Sequence, residues 1–162
     1  MPLAAYRWGD WRNWRLYYPT ILFYVLSDLF YNYALFQYPM WRFHDGPIPL
    51  FHYEFFIVLS FLLLRYPATV LIYLGRFPSD KWKAVGWILF WVALYLAFEA
   101  FDYQIGLISY DNGWHIGWSL LFNLVLFSML KIHYHRPLLA WALSAIWIVT
   151  LWNIPLEVII KD

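Results

Sequence analysis

Residues 85–130 read VGWILFWVALYLAFEAFDYQIGLISYDNGWHIGWSLLFNLVLFSML, and their reading decides the fold. Val85–Leu107 is almost wholly apolar. At about 1.5 Å per residue it is long enough to cross a ~30 Å hydrocarbon layer as a helix. Ser109–Gly113 reads as a turn, because Asn112-Gly113 accepts positive φ. Trp114–Leu130 predicts a second apolar helix, with His115, Ser119 and Asn123 one turn apart. Two acids, Glu99 and Asp102, interrupt the first helix. A carboxylate within a membrane-spanning segment is costly, so each needs a partner or a task.

The whole chain carries the same signature. Its 162 residues are 64% hydrophobic, 25% aromatic and only 13% charged. A soluble domain has about 25% charged residues, and one this small cannot hide so much apolar surface in its own core. The fold class is therefore an all-α integral membrane protein, a single domain over residues 1–162. A formal charge of +1 argues against a nucleic-acid partner. With no cysteine, disulfides, thiolate chemistry and cysteine-based metal sites are excluded. The N-terminus does not show a cleavable signal pattern.

Working outward gives five spans: about 19–36, 51–75, 85–107, 114–130 and 138–160. Pro19 suits the start of the first and Pro67 should kink the second. Pro155 leaves the end of the fifth open. Residues 37–50 and the linkers 76–83 and 131–137 read as loops. In residues 1–18, Trp8, Trp11 and Trp14 alternate with Arg7, Arg12 and Arg15. Tryptophan and arginine both suit the headgroup layer, so this stretch predicts an amphipathic helix on the membrane surface. An ordered cap on the bundle is the alternative.

Five spans put the termini on opposite sides. One side receives Arg7, Arg12, Arg15, Arg76, Lys81, Lys83, Lys131 and Arg136; the other receives Arg42 and Lys161. The positive-inside rule then places the N-terminus in the cytoplasm and the C-terminus outside. A four-span reading would lay the last helix at the interface.

The embedded polar residues form one constellation: Asp28, Asn32, Glu54, Arg65, Glu99, Asp102, His115 and Asn123. By helical rise Asp28 lies roughly 14 Å deep and Arg65 roughly 16 Å deep. A buried charge costs less when paired, so Arg65 is expected to pair with Asp28, or else with Glu99. Otherwise it snorkels to the inner interface. Four acids against one base imply protonated carboxyls, a bound cation, or a network with Tyr, Ser and Asn that fixes helix register. Glu99 and Asp102 could share a metal with His52, Glu54 or His115. The spacings match no known metal signature, so no metal or other cofactor is predicted, and a bound lipid stays open. His133 and His135, beside Lys131 and Arg136, read as headgroup contacts. No nucleophile–base pair or phosphate loop is present, so no catalytic residue is assigned and the balance leans away from an enzyme.

Several strings carry a resemblance: Asp10-Trp11-Arg12-Asn13-Trp14, Tyr18-Pro19-Thr20, Pro67-Ala68-Thr69-Val70-Leu71-Ile72-Tyr73-Leu74-Gly75, and Asn112-Gly113-Trp114 with Trp118-Ser119-Leu120-Leu121-Phe122-Asn123. Over most of its length the chain resembles a family of small multi-pass membrane proteins from spore-forming bacteria, a family that carries no assigned activity. The resemblance implies a bacterial cell membrane. The expected function is a structural or assembly component of a membrane complex, with membrane lipids as partners and either a homo-oligomer or a larger assembly as its context. A proton- or cation-coupled transporter or channel using the embedded acids is the first alternative. A lipid- or isoprenoid-binding protein or enzyme is the second.

Overall fold

Apolar runs with few breakers fold as helices. Helix dominates the computed structural model, which describes residues 1–44 and 54–153. Helix α1 is Pro2–Trp8, followed by a 3-10 turn at Trp11–Asn13 and α2 at Trp14–Ala34. Helix α3 (Glu54–Ser60) passes through a wide π turn, Phe61–Arg65, into α4 (Tyr66–Gly75). Helix α5 is Lys81–Gln104, α6 is Ile116–His135 and α7 is Pro137–Asn153. Among the described residues, Phe56–Gly75, Lys81–Gln104 and Ile116–His135 are long and apolar enough to cross a membrane. Helix α6 packs against α2, α5 and α7, and α4 packs against α2.

Local chemistry moves the expected boundaries. Helix α5 starts at 81, not 85, because the Asp80 carboxylate caps it and accepts a bond from the Lys83 N–H at 3.0 Å. It ends at 104, not 107, because Gly106 takes φ +73°. The Leu107 and Gly106 N–H groups then close back on the Asp102 and Tyr103 carbonyls. Helix α6 runs through the expected linker to His135, and only Arg136 separates it from α7, which Pro137 opens. Helix α2 begins before Pro19, which sits inside it. The N–H that proline lacks would have met the Arg15 carbonyl in the first turns, where the loss is small. Ahead of Pro67 the helix widens into the π turn, which makes room for the proline ring against the preceding turn. Residues 51–53 of the expected second span and 154–160 of the fifth lie outside the described residues.

Two stretches expected to be loop and turn pair with each other. Trp41–Phe43 (β1) and Ile108–Tyr110 (β2) form an antiparallel ladder with Trp41 opposite Tyr110. An ion pair joins Arg42 Nε to Asp111 Oδ2 at 3.1 Å. Asn112 and Gly113 take φ of +52° and +77°, and the Trp114 N–H closes on the Asp111 carbonyl at 3.0 Å. This is the expected positive-φ turn. The Asn112 amide also donates to the Pro39 carbonyl at 2.7 Å, fastening the turn to the loop after α2.

The core is aromatic. Tyr73, Trp91 and Phe127 are buried where α4, α5 and α6 meet. Tyr73 spends its hydroxyl on the Phe127 carbonyl at 2.8 Å. At the same end of the bundle the N-terminal segment docks. It is not one helix, because the chain breaks at Gly9–Asp10 and turns. Ala5 is buried, Trp11 Nε1 donates to the Ala5 carbonyl, and Arg76 Nε donates to the Trp8 carbonyl. Gly75 is what lets the segment close: a Cβ there would lie 2.7 Å from the Asp10 Cβ. Hydrogen bonds from Asn13 and Tyr17 hold the Asp10 carboxyl below its usual range.

A carboxyl depressed in the folded state stabilises above its unfolded pKa and loses that contribution as pH falls through the folded value. The cysteine-free chain accepts a single spin label at Leu3, which is exposed. The label should loosen as pH drops below about 4, and Gly75→Ala should loosen it at every pH. A label equally mobile in wild type and Gly75→Ala at neutral pH would disprove the docking account.

Candidate functional site

A partly open cavity of about 190 Å³ lies between the helices of the bundle. Helices α2, α5, α6 and α7 and the π turn wall it, and Trp41, Phe43 and Ile108 of the ladder lie over one end. Its walls are mostly aromatic, with Tyr24, Tyr31, Phe61, Tyr95, Trp114, Phe122 and Trp147 prominent. Set into them are Asp28, Asn32, Arg65, Glu99, Asp102, Ser119 and Asn123. Four spans of sequence separated by up to 95 residues thus bring their polar side chains to one place.

Each charged group is handled differently. Asp28 accepts a hydrogen bond from Tyr66 Oη at 2.9 Å and one from Asn32 Nδ2 at 3.2 Å. Glu99 Oε1 accepts from Tyr110 Oη at 2.7 Å and from Ser119 Oγ. Ser119 in turn accepts from Trp114 Nε1 at 2.9 Å, so three hydrogen bonds join four residues from the end of β2, α5 and the head of α6. Burial, and then the bond to Glu99, push the Tyr110 phenol up. Arg65 lies over ring faces instead: its guanidinium carbon is 4.7 Å from the Phe61 and Tyr95 ring centres and 5.3 Å from that of Phe98. The Asp102 carboxylate accepts no hydrogen bond among the described residues.

The expected Arg65–Asp28 ion pair does not form. Arg65 and Tyr66 are neighbours, so they point about 100° apart on the helix. Tyr66 faces α2 and takes Asp28, while Arg65 faces α5. Glu99, the second choice, is not its ion-pair partner either, although the charges of Glu99 and Asp102 both act on Arg65 from a distance. Asp28, Asn32, Arg65, Glu99, Asp102 and Asn123 share the cavity. His115 does not: α6 begins at Ile116, so His115 has extended backbone and its Nδ1 accepts the Gly117 N–H. The Glu54 side chain, His52 and Asp45 lie outside the described part. His133, expected among headgroups, is buried against the Phe23 ring with Thr20 Oγ1 3.0 Å from its Nδ1.

Sequence spacing missed Tyr66, Tyr110 and Trp147. Tyr66 had a usable signal, since a tyrosine beside an embedded arginine is a ready carboxylate donor. Tyr110 had none, because its reach to Glu99 depends on the ladder. Among the described residues no three His, Asp or Glu side chains converge as a metal site would need.

The chain is thus a helical bundle, three of its helices long and apolar enough to cross a membrane, with a charged, aromatic-walled and partly open cavity. Comparison with protein-family models, with curated proteins and with solved structures found no match.

Removing a donor from a buried carboxylate costs about 1–3 kcal/mol. Ser119→Ala should therefore lower stability by about that amount, measured as the unfolding midpoint in detergent, because it strips Glu99 and orphans Trp114 Nε1 together. Tyr103→Phe, whose ring is exposed and stacks on Tyr110, should shift it by under about 0.5 kcal/mol. Equal shifts for the two variants would remove the Glu99 chain from the account.

Proposed function

We propose that this protein is a small carrier that binds a charged organic solute in the cavity of a five-span bundle. Helices α2 and α7 complete the five, the N-terminal segment lies at the inner interface, and the N-terminus is cytoplasmic. The docking of that segment beside Gly75 supports this arrangement, since it gathers Arg7, Arg12, Arg15 and Arg76 at one end. The resemblance to small multi-pass proteins of spore-forming bacteria supports a bacterial cell membrane.

One observation carries the reading. Asp102 lines the cavity with a carboxylate that no donor of the described residues satisfies. A register-fixing network would satisfy it, as Asp28 and Glu99 are satisfied. A cavity of about 190 Å³ has the volume of about six waters or of a small organic molecule. The π turn and Pro67 adjoin it, and wide or broken helical turns recur at functional and substrate sites. The satisfied acids Asp28 and Glu99 favour the second reading, a structural or assembly component.

Proteoliposomes test the two. They should take up at least one of three solutes of similar size, phenylalanine, phenethylamine and 3-phenylpropionate. Asn123→Phe, which fills the cavity, and Asp102→Asn should each reduce that uptake at least tenfold while the unfolding midpoint holds. No uptake of any solute would return the protein to the structural class.

A further inference from the structure

The cavity contains two charged groups that have no polar partner among the described residues. Among the described residues Arg65 makes no hydrogen bond and no ion pair, and neither does the Asp102 carboxylate. The two are opposite in sign and act on each other electrostatically across the cavity. Both are expensive to keep in an apolar bundle without a partner. Their neighbours are already committed, Asp28 to Tyr66 and Glu99 to Tyr110 and Ser119.

The way Arg65 is held bears on what it would take. Rings of Phe61, Tyr95 and Phe98 support the guanidinium by their faces. Such support leaves its five N–H donors unspent, in the planar fork that matches a carboxylate or phosphate. Asn123 adds an independent sign of a ligand. It is 5% exposed, lines the same cavity, and its amide has no partner among the described residues. Buried amides are ordinarily hydrogen-bonded.

Resting on the carrier reading above, we propose that the solute is a zwitterion: its anionic group takes the Arg65 fork, its ammonium takes Asp102, and its apolar body lies against the aromatic wall. A cation alone would satisfy Asp102 and leave Arg65 repelling it. An anion alone would do the reverse. The same chemistry is found in a free amino acid and in an ethanolamine phospholipid headgroup.

Binding calorimetry on the full-length protein in phosphatidylglycerol nanodiscs reads the proposal. Each missing charge-assisted bond costs about 1.5–3 kcal/mol, roughly tenfold to a hundredfold. Phenylalanine should therefore bind at least tenfold tighter than phenethylamine or 3-phenylpropionate. Arg65→Met should erase its advantage over phenethylamine, and Asp102→Asn its advantage over 3-phenylpropionate. Native mass spectrometry from membranes containing phosphatidylethanolamine supplies the lipid arm. Retention of that lipid over phosphatidylglycerol, lost in both variants, supports the same chemistry with a lipid as its source. Phenethylamine binding as tightly as phenylalanine, with no lipid preference, overturns the zwitterion and keeps the carrier. No solute bound and no lipid retained overturns both.

Discussion

Everything in this bundle answers to the cost of keeping charge away from water. In a medium of low dielectric an acid must be given donors, a counter-charge or a ligand. Glu99 shows the consequence most fully. Its donors are Tyr110 on β2 and Ser119 on α6, so satisfying one carboxylate fixes the end of α5 against two other elements. Asp28 does the same between α2 and α4 through Tyr66. The acids therefore act as joints between helices. For helices long and apolar enough to cross a membrane, apolar packing alone would be a weak joint, because lipid tails compete equally well for an apolar face.

The two ends of the bundle are tied by different means. At one end backbone and side-chain bonds hold the N-terminal segment against Gly75 and Arg76. At the other, a three-residue ladder, the Arg42–Asp111 pair and the Asn112–Pro39 bond join loops 65 and more residues apart. An ion pair partly exposed, as Arg42 is, adds little stability by itself. Its place beside the ladder means that it fixes register, and so sets where Trp41 and Phe43 lie over the cavity.

Arg65 and Asp102 stand apart from this logic. Among the described residues Arg65 has ring faces and distant charge but no acceptor, and Asp102 has distant charge and no donor. Stability alone would replace both with apolar groups. Both line one cavity, on elements that already have other joints.

Composition and run length pointed to a helical protein with stretches long and apolar enough to cross a membrane, since those quantities depend only on how much apolar side chain must be hidden. The Asn112-Gly113 turn was legible because positive φ is a local property. The membership of Asp28, Asn32, Arg65, Glu99, Asp102 and Asn123 in one region followed from the rule that charge turns away from lipid. Which side chains meet depended on how the helices pack. Depth along the helices predicted Arg65 with Asp28, but helix rotation gave Asp28 to Tyr66 and left Arg65 among rings. Spacing put His115 in the polar stripe, but the helix starts one residue later and uses the ring as a cap. The ladder, and with it Tyr110's bond to Glu99, pairs residues about 65 apart, and no local pattern encodes that. A periodicity reports which face of a helix is polar; which neighbour that face meets depends on rotations and crossings that the whole bundle sets together.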